Sequence, residues 1–227
     1  MTVEIFDCVQ GTPEWYACRL GIPTASEFHS VLAKGEGKTR RTYMYKLIGE
    51  RLTGESQDTF STVHTERGKI MEAEARGLVL FDYPDVHLVG FIRRAFSEGY
   101  VGCSPDALIG EDGMLEIKTK LPHLQIAVLR EDRLPPEHVA QCQGALWVSG
   151  RKWIDFVSYW PGLPLFKKRV LPDPEYFKAL EAGITAFHLE MTDVQKGLAA
   201  MMPATRVVKK PAQILAETEF SSLDLTE

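Results

Sequence analysis

A chain of 227 residues, 44% hydrophobic and 25% charged, has a globular composition and enough length for one large core, which excludes collagen-like, coiled-coil and disordered classes. No apolar run approaches the ~20 residues a membrane helix needs, so no membrane partner is expected. The formal net charge of −5 speaks against a nucleic-acid partner only if it is evenly spread, and it is not.

In chain order, Glu4 to Gln10 alternates weakly and predicts a first strand. The start, Met1-Thr2-Val3-Glu4, has no basic region leading into an apolar stretch, so the expected location is cytoplasmic. Thr12-Pro13 opens a short helix. Thr24-Ala25-Ser26-Glu27 has the spacing of a capping box and predicts a helix from Ala25 to about Ala33. From Lys34 to Arg51 the chain carries Lys34, Lys38, Arg40, Arg41, Lys46 and Arg51 against Glu36 and Glu50. This local basic face, Arg40 and Arg41 included, can bind phosphate backbones, because the local field matters rather than the total. Helices are predicted over Arg41 to Leu52, ending at Gly54, and over Thr65 to Tyr83, stopped by Pro84.

The middle turns to strands. Val86 to Phe96 is β-rich, and Tyr100 to Ile109 and Met114 to Lys118 flank Gly110-Glu111-Asp112-Gly113, a hairpin turn. Pro135-Pro136 opens a helix to about Val148, closed by Gly150. Strands are expected over Lys152 to Trp160 and Leu165 to Leu171, then a long helix from Asp173-Pro174 to about Met202. The order predicts an α/β fold with a central mixed sheet flanked by helices, in a single domain over 1–202. Residues 203–227 form an acidic tail, Glu217 to Glu227 holding four acids and no base, which suits a loosely packed or docking segment. Cys8, Cys18, Cys103 and Cys142 are dispersed, with no CxxC pair, which excludes a zinc ribbon.

The chemistry is densest where Ser104-Pro105-Asp106 is followed by Glu116-Ile117-Lys118. In a strand successive side chains alternate, so Leu115 and Ile117 point into the core while Glu116 and Lys118 share the other face. Asp106, on the partner strand, adds a second carboxylate. Both acids are hard ligands suited to Mg²⁺ or Mn²⁺, and the Ile117 carbonyl can add a third. Lys118 can hold a water in its hydroxide form or stabilise transition-state charge. The bland alternative is a cross-strand ion pair on an exposed face. Glu72, on the preceding helix, offers a further carboxylate. Arg19 beside Ser26 could cradle a phosphate, or be structural. Gln141 and Gln143 amid apolar neighbours could satisfy backbone or bridge polar groups.

Taken together, Trp15…Arg19-Leu20-Gly21-Ile22-Pro23-Thr24-Ala25-Ser26-Glu27, Gly68-Lys69-x-x-Glu72, Cys103-Ser104-Pro105-Asp106-Ala107-Leu108, Leu115-Glu116-Ile117-Lys118 and Ala140-Gln141-x-Gln143-x-x-x-Trp147 resemble, in that order, the phage lambda exonuclease and YqaJ-type viral recombinase family. The resemblance runs from about Trp15 to Trp160. It implies a restriction-endonuclease-like PD-(D/E)xK fold and a 5′→3′ exonuclease that processively degrades one strand of linear duplex DNA to mononucleotides, leaving 3′ overhangs for recombination. It also implies two Mg²⁺ ions held by Asp106, Glu116, the Ile117 carbonyl and Glu72, with Lys118 acting on the attacking water. Arg19, Ser26, Ser104 and Gln141 would bind the 5′-phosphate. A ring-shaped homotrimer and a single-strand annealing partner are implied too. The loop from Lys34 to Arg41 is shorter than in the lambda protein, and the tail differs. The rival readings are a restriction-type or structure-specific endonuclease on the same fold, an iron–sulfur nuclease, which would need clustered cysteines, and a degenerate member that only binds DNA or a partner.

Overall fold

The computed structural model describes residues 2–33, 37–57, 63–83 and 85–201. The acidic tail, Lys34 to Glu36 of the basic loop and the Pro84 helix stop lie outside them.

The strands form two sheets. The smaller is antiparallel: β1 (Val3–Phe6), β3 (Phe91–Phe96) and β4 (Gly99–Cys103), in the order β1-β3-β4. The central one is mixed: β2 (Val86–His87), β5 (Ala107–Ile109), β6 (Gly113–Thr119), β7 (Trp153–Tyr159) and β8 (Phe166–Val170), in the order β2-β5-β6-β7-β8. Only β6 and β7 run parallel. A parallel pair needs a long crossover, supplied by α5 (Pro122–Glu131) and α6 (Pro136–Ser149). The remaining helices are α1 (Pro13–Arg19), α2 (Phe28–Val31), α3 (Lys38–Thr53), α4 (Val63–Leu80) and α7 (Pro174–Met201).

Helices cover both faces of the central sheet, as expected of an α/β fold. Ala75 and Val79 of α4 pack on Ala107, Leu115, Ile117 and Val157. On the other face Cys142, Leu146 and Val148 of α6, with Phe28, Met44 and Phe187, pack on Met114, Ile154 and Phe156. Period-two alternation along β6 therefore sends Met114 and Glu116 towards α6 and Leu115 and Ile117 towards α4. At Gly144 an added Cβ would sit 2.4 Å from the Phe28 ring, so glycine lets α6 close onto the segment that carries Ser26. Gly150 ends α6 with φ 71°, the left-handed cap.

Three sequence expectations are corrected. The single strand from Tyr100 to Ile109 is two, in different sheets: β4 pairs with β3, and β5 with β6. Pro105 has no N–H to give a ladder, and the chain crosses between sheets at Ser104-Pro105-Asp106. The helix from Ala25 to Ala33 is a 3₁₀ turn (Ala25–Glu27) running into the short α2, without a capping box. The Thr24 hydroxyl faces Ser26 Oγ at 3.2 Å, and Glu27 accepts from Ser30 Oγ at 2.9 Å. The third is an omission: α5 was not expected at all.

Two histidines, His188 buried and His138 half-buried, should make the fold less stable in acid. Burial, then the charges of Lys120 and Lys118, lower His138 to about 4. Burial, then Arg51, lowers His188 to about 4 as well. Both lie below the free-imidazole value of 6.5, so between these limits the unfolded chain binds more protons than the folded one. Stability is complete above pH 6.5 and falls as the pH drops towards 4, by on the order of 3 kcal/mol for each histidine. Urea midpoints at pH 7 and pH 4.5 should show the loss, and His188→Gln should reduce it.

Candidate active site

The site is assembled on β6. Glu116 is only 3% exposed, and its carboxylate accepts from Lys118 Nζ at 2.7 Å and from Gln141 Nε2 of α6 at 2.5 Å. Asp106 stands just before β5, where its N–H donates to the Leu115 carbonyl at 3.0 Å and its carboxylate accepts from the Ile117 N–H. The hairpin thus brings both acids to one end of the sheet, as the alternation predicts. Arg151 steadies the turn by donating to the carbonyls of Gly110 and Gly113, each at 2.8 Å.

Opposite β6 lies the segment after α1. Gly102 N–H donates to the Pro23 carbonyl at 3.0 Å, and Thr24 bridges to Gly102, which lays Thr24 to Ser26 alongside β4. The Trp15 indole N–H reaches both the Gly90 carbonyl, at 2.9 Å, and Ser104 Oγ, at 3.0 Å. Arg19 lies over the Trp15 ring at 4.0 Å. The turn after Arg19 is gripped by α3: Gly21 N–H donates to the buried Glu50 carboxylate at 2.9 Å, and Arg51 Nε donates to the Gly21 carbonyl at 2.8 Å.

The result is a cleft of about 180 Å³ that gathers Arg19, Ser26, Ser104, Asp106, Glu116, Lys118 and Gln141. Seven of the expected site residues, drawn from segments more than a hundred positions apart, therefore share one cavity. Glu72 does not line it. Glu72 pairs with Arg76 one turn along α4, near enough to the cleft to feel Glu116 and Lys118. Arg40 is turned onto α7, pairing with Glu190 at 2.5 Å and covering the Phe187 ring, whereas Arg41 is exposed. Among the lining residues to which the sequence assigned no site role, Trp15 and Gln10 act on the site directly. Trp15 holds Ser104 and carries Arg19, and Gln10 caps the Pro105 carbonyl at 2.9 Å. Trp15 belongs to the order of motifs quoted above, whereas Gln10 in an alternating segment carries no signal.

Burial and like charge bear hardest on the acidic end of the cleft. Burial first, then the charges of Glu116 and Glu72, hold the Asp106 carboxyl well above the ordinary carboxylate range. Burial also raises Glu72, with Arg76 pulling the other way and Glu116 adding to the rise. Burial pulls the Lys118 ammonium down, yet Glu116 and Asp106 together outweigh it and hold it above the usual lysine value. The Cys103 and Cys142 thiols are driven far up by burial and by Glu116, so neither is a nucleophile. Among the described residues no group of three or more His, Cys, Asp or Glu side chains is drawn together as a ready-made metal cage. The donor chemistry nonetheless fits a hard divalent cation: the charge of Glu116 raises the Asp106 carboxyl, and added positive charge beside it would relieve that repulsion.

A family model, the YqaJ-like viral recombinase domain, matches residues 14–152. The structure of LHK-Exo in complex with dAMP is similar at a TM-score of 0.76 and 33% identity, over 84% of this chain and 97% of that one. The alkaline exonuclease LHK-Exo from Laribacter hongkongensis gives a TM-score of 0.75 and 32% identity over the same shares. A phage related exonuclease from Haemophilus somnus 129PT shares the fold, with a TM-score of 0.53 and 13% identity over 80% of this chain and 96% of that one. No curated protein matches the sequence. With more than half its length inside the family model and 33% identity to LHK-Exo over 84% of its length, the chain belongs to the YqaJ-like viral recombinase family.

Proposed function

We propose that the protein is a divalent-metal-dependent exonuclease that degrades the 5′-ended strand of linear double-stranded DNA to mononucleotides, leaving 3′ overhangs for single-strand annealing. The observation that carries this reading is the single cleft holding an acidic pair, an ammonium and an Arg–Ser pair. An alkaline exonuclease and a dAMP complex among its relatives support it.

Asp106, Glu116 and the Ile117 carbonyl would hold Mg²⁺, or Mn²⁺ in its place, and Glu72 would serve a second ion. Bound there, the metal supplies Lewis acidity for attack on a phosphodiester. Lys118, fixed by Glu116 at 2.7 Å, stays charged and can hold the attacking water or offset phosphoryl charge. Gln141 keeps the Glu116 carboxylate in one orientation. Arg19, Ser26, Ser104 and Gln141 would receive the terminal 5′-phosphate and so set cleavage one nucleotide from the end. Arg41 and its basic neighbours would meet the duplex backbone. A homotrimeric ring would account for processivity on a chain of net charge −5, and an annealing protein would take the overhang.

The test is digestion of end-labelled linear duplex with Mg²⁺, alongside circular duplex. Linear DNA should be consumed and closed circles spared; cut circles would favour the endonuclease reading. Replacing the 5′-phosphate by a 5′-hydroxyl removes charge-assisted contacts worth ~1.5–3 kcal/mol each, so initiation should slow by roughly 10- to 100-fold. Equal rates on both ends would remove Arg19, Ser26, Ser104 and Gln141 from the phosphate role. A monomer by light scattering would refute the ring.

A further inference from the structure

The chain leaves α1 through a turn that α3 holds in one form. The Arg19 carbonyl accepts from the Ile22 N–H at 3.1 Å, Leu20 has φ −56° and ψ 119°, and Gly21 has φ 65°. These are the angles of a type II turn, which differs from type I by a flip of the peptide between its two central residues. Here that peptide cannot flip freely. Its N–H, on Gly21, donates to Glu50 Oε2 at 2.9 Å, and the Gly21 carbonyl accepts from Arg51 Nε at 2.8 Å. An added Cβ on Gly21 would lie 2.4 Å from Arg51 Cγ, so the arginine stem rests on the turn itself.

The grip is built into α3. Glu50 is only 4% exposed, and its other oxygen accepts from the Gln57 N–H at 3.2 Å, with Lys46 Nζ 4.0 Å away. Burying a carboxylate gains little stability, and what this one supplies is a fixed acceptor on a rigid helix. Two turns earlier on the same face, Tyr43 Oη accepts from the Thr24 N–H at 3.1 Å. The segment from Arg19 to Ser26 is therefore fastened at 21 and at 24, and both its ends line the catalytic cleft. Behind it, a hollow of about 60 Å³ sets Arg19 and Ser26 against Tyr43, Lys46 and Glu50. Neither Glu50 nor Arg51 lines the cleft.

Resting on the nuclease reading above, we propose that Glu50 and Arg51 set the preference for a phosphorylated 5′ end, by locking the Arg19–Ile22 turn so that Arg19 and Ser26 stand at the spacing a terminal phosphate needs. They are positioning residues: they act through Arg19 and Ser26 without touching the phosphate. A charge-assisted contact depends steeply on placement, and a shift of about 1 Å in a bound group can cost on the order of a hundredfold.

The experiment uses the full-length protein, Mg²⁺ and linear duplexes ending in a 5′-phosphate or a 5′-hydroxyl, and reads the ratio of kcat/KM for the two ends. Glu50→Gln puts an amide where two N–H groups need acceptors. Arg51→Met keeps the stem and loses the donor, and it carries the test should Glu50→Gln fail to fold. Each should lower the phosphate preference about tenfold while the hydroxyl end is digested at the wild-type rate. An unchanged preference, or equal slowing on both ends, makes the pair merely structural and overturns the proposal. In an Arg19→Ala background Arg51→Met should cost less of the preference than it does alone, because the two act on one contact; an equal loss in both backgrounds overturns it. Should the wild type digest no duplex, the nuclease reading falls by itself. The grip is then judged by fluorescence anisotropy of the same two ends: tighter binding of the phosphorylated end that Arg51→Met abolishes supports it, and binding that does not distinguish the ends, or a difference that survives the substitution, overturns it.

Discussion

Asp106→Asn and Glu116→Gln are each expected to lower digestion of linear duplex by roughly a thousandfold or more. Each removes a negative charge from the end of the hairpin where the metal would be held, and neither removes much volume. Stability should move the other way. Asp106 is held above the ordinary carboxylate range by burial and by like charges, so the folded state is strained by carrying it ionised. Asp106→Asn should therefore leave the thermal midpoint unchanged or raise it, the pattern expected where a site is kept for chemistry rather than for folding. End-labelled digestion and a thermal melt of the same preparation check both halves. Residual turnover within tenfold of wild type would remove these acids from the metal site, and a large fall in midpoint would make them structural.

Arg169→Ala should be the most destabilising change remote from the cleft. Asp155, on β7 between β6 and β8, is 2% exposed and accepts from Arg169 Nε and Nη2, each at 2.9 Å, and from the Tyr83 hydroxyl. Arg169 also covers the Trp153 ring at 3.7 Å. Its own side chain is half exposed, so it loses little solvation by pairing, whereas Asp155 has no route to water. Removing the arginine strands a buried charge, which costs about 3–5 kcal/mol, or on the order of 10 °C in a domain of this size. Asp155→Asn leaves a guanidinium that can turn to solvent, and should cost less. Urea unfolding of the two variants tests that order. Equal losses would mean that shape rather than charge holds this corner.

Much of the site could be read from the chain because its chemistry is local. Glu116 and Lys118 are two apart on a strand, and Gly110 to Gly113 set the hairpin that returns Asp106 to them. What escaped was set by distant contacts. Nothing near Thr24 says that its hydroxyl will face Ser26 rather than cap the following turn. Leu121-Pro122 does carry a helix start, but Ile126 and Val128 are β-branched and blur the helical period, so α5 went unseen. Its inward Gln125, bonded to Ser158 and to the Pro164 carbonyl, and its buried Val128 show how it docks. The break at Pro105 had a local signal, the missing N–H, which the surrounding β pattern outweighed. Glu72 sits four residues before Arg76, and that spacing anticipates the ion pair that now holds it outside the cleft.

The parallel pairing of β6 with β7 has a bearing on synthesis. Until the chain has passed through both crossover helices, β6 is paired with β5 alone, its other edge is open, and Gln141 is not there to steady Glu116. A half-made polypeptide leaving the ribosome therefore holds the acids without the frame that aligns them. The proposed cutting centre is therefore complete only once β7, as far as Tyr159, has been made and has paired with β6.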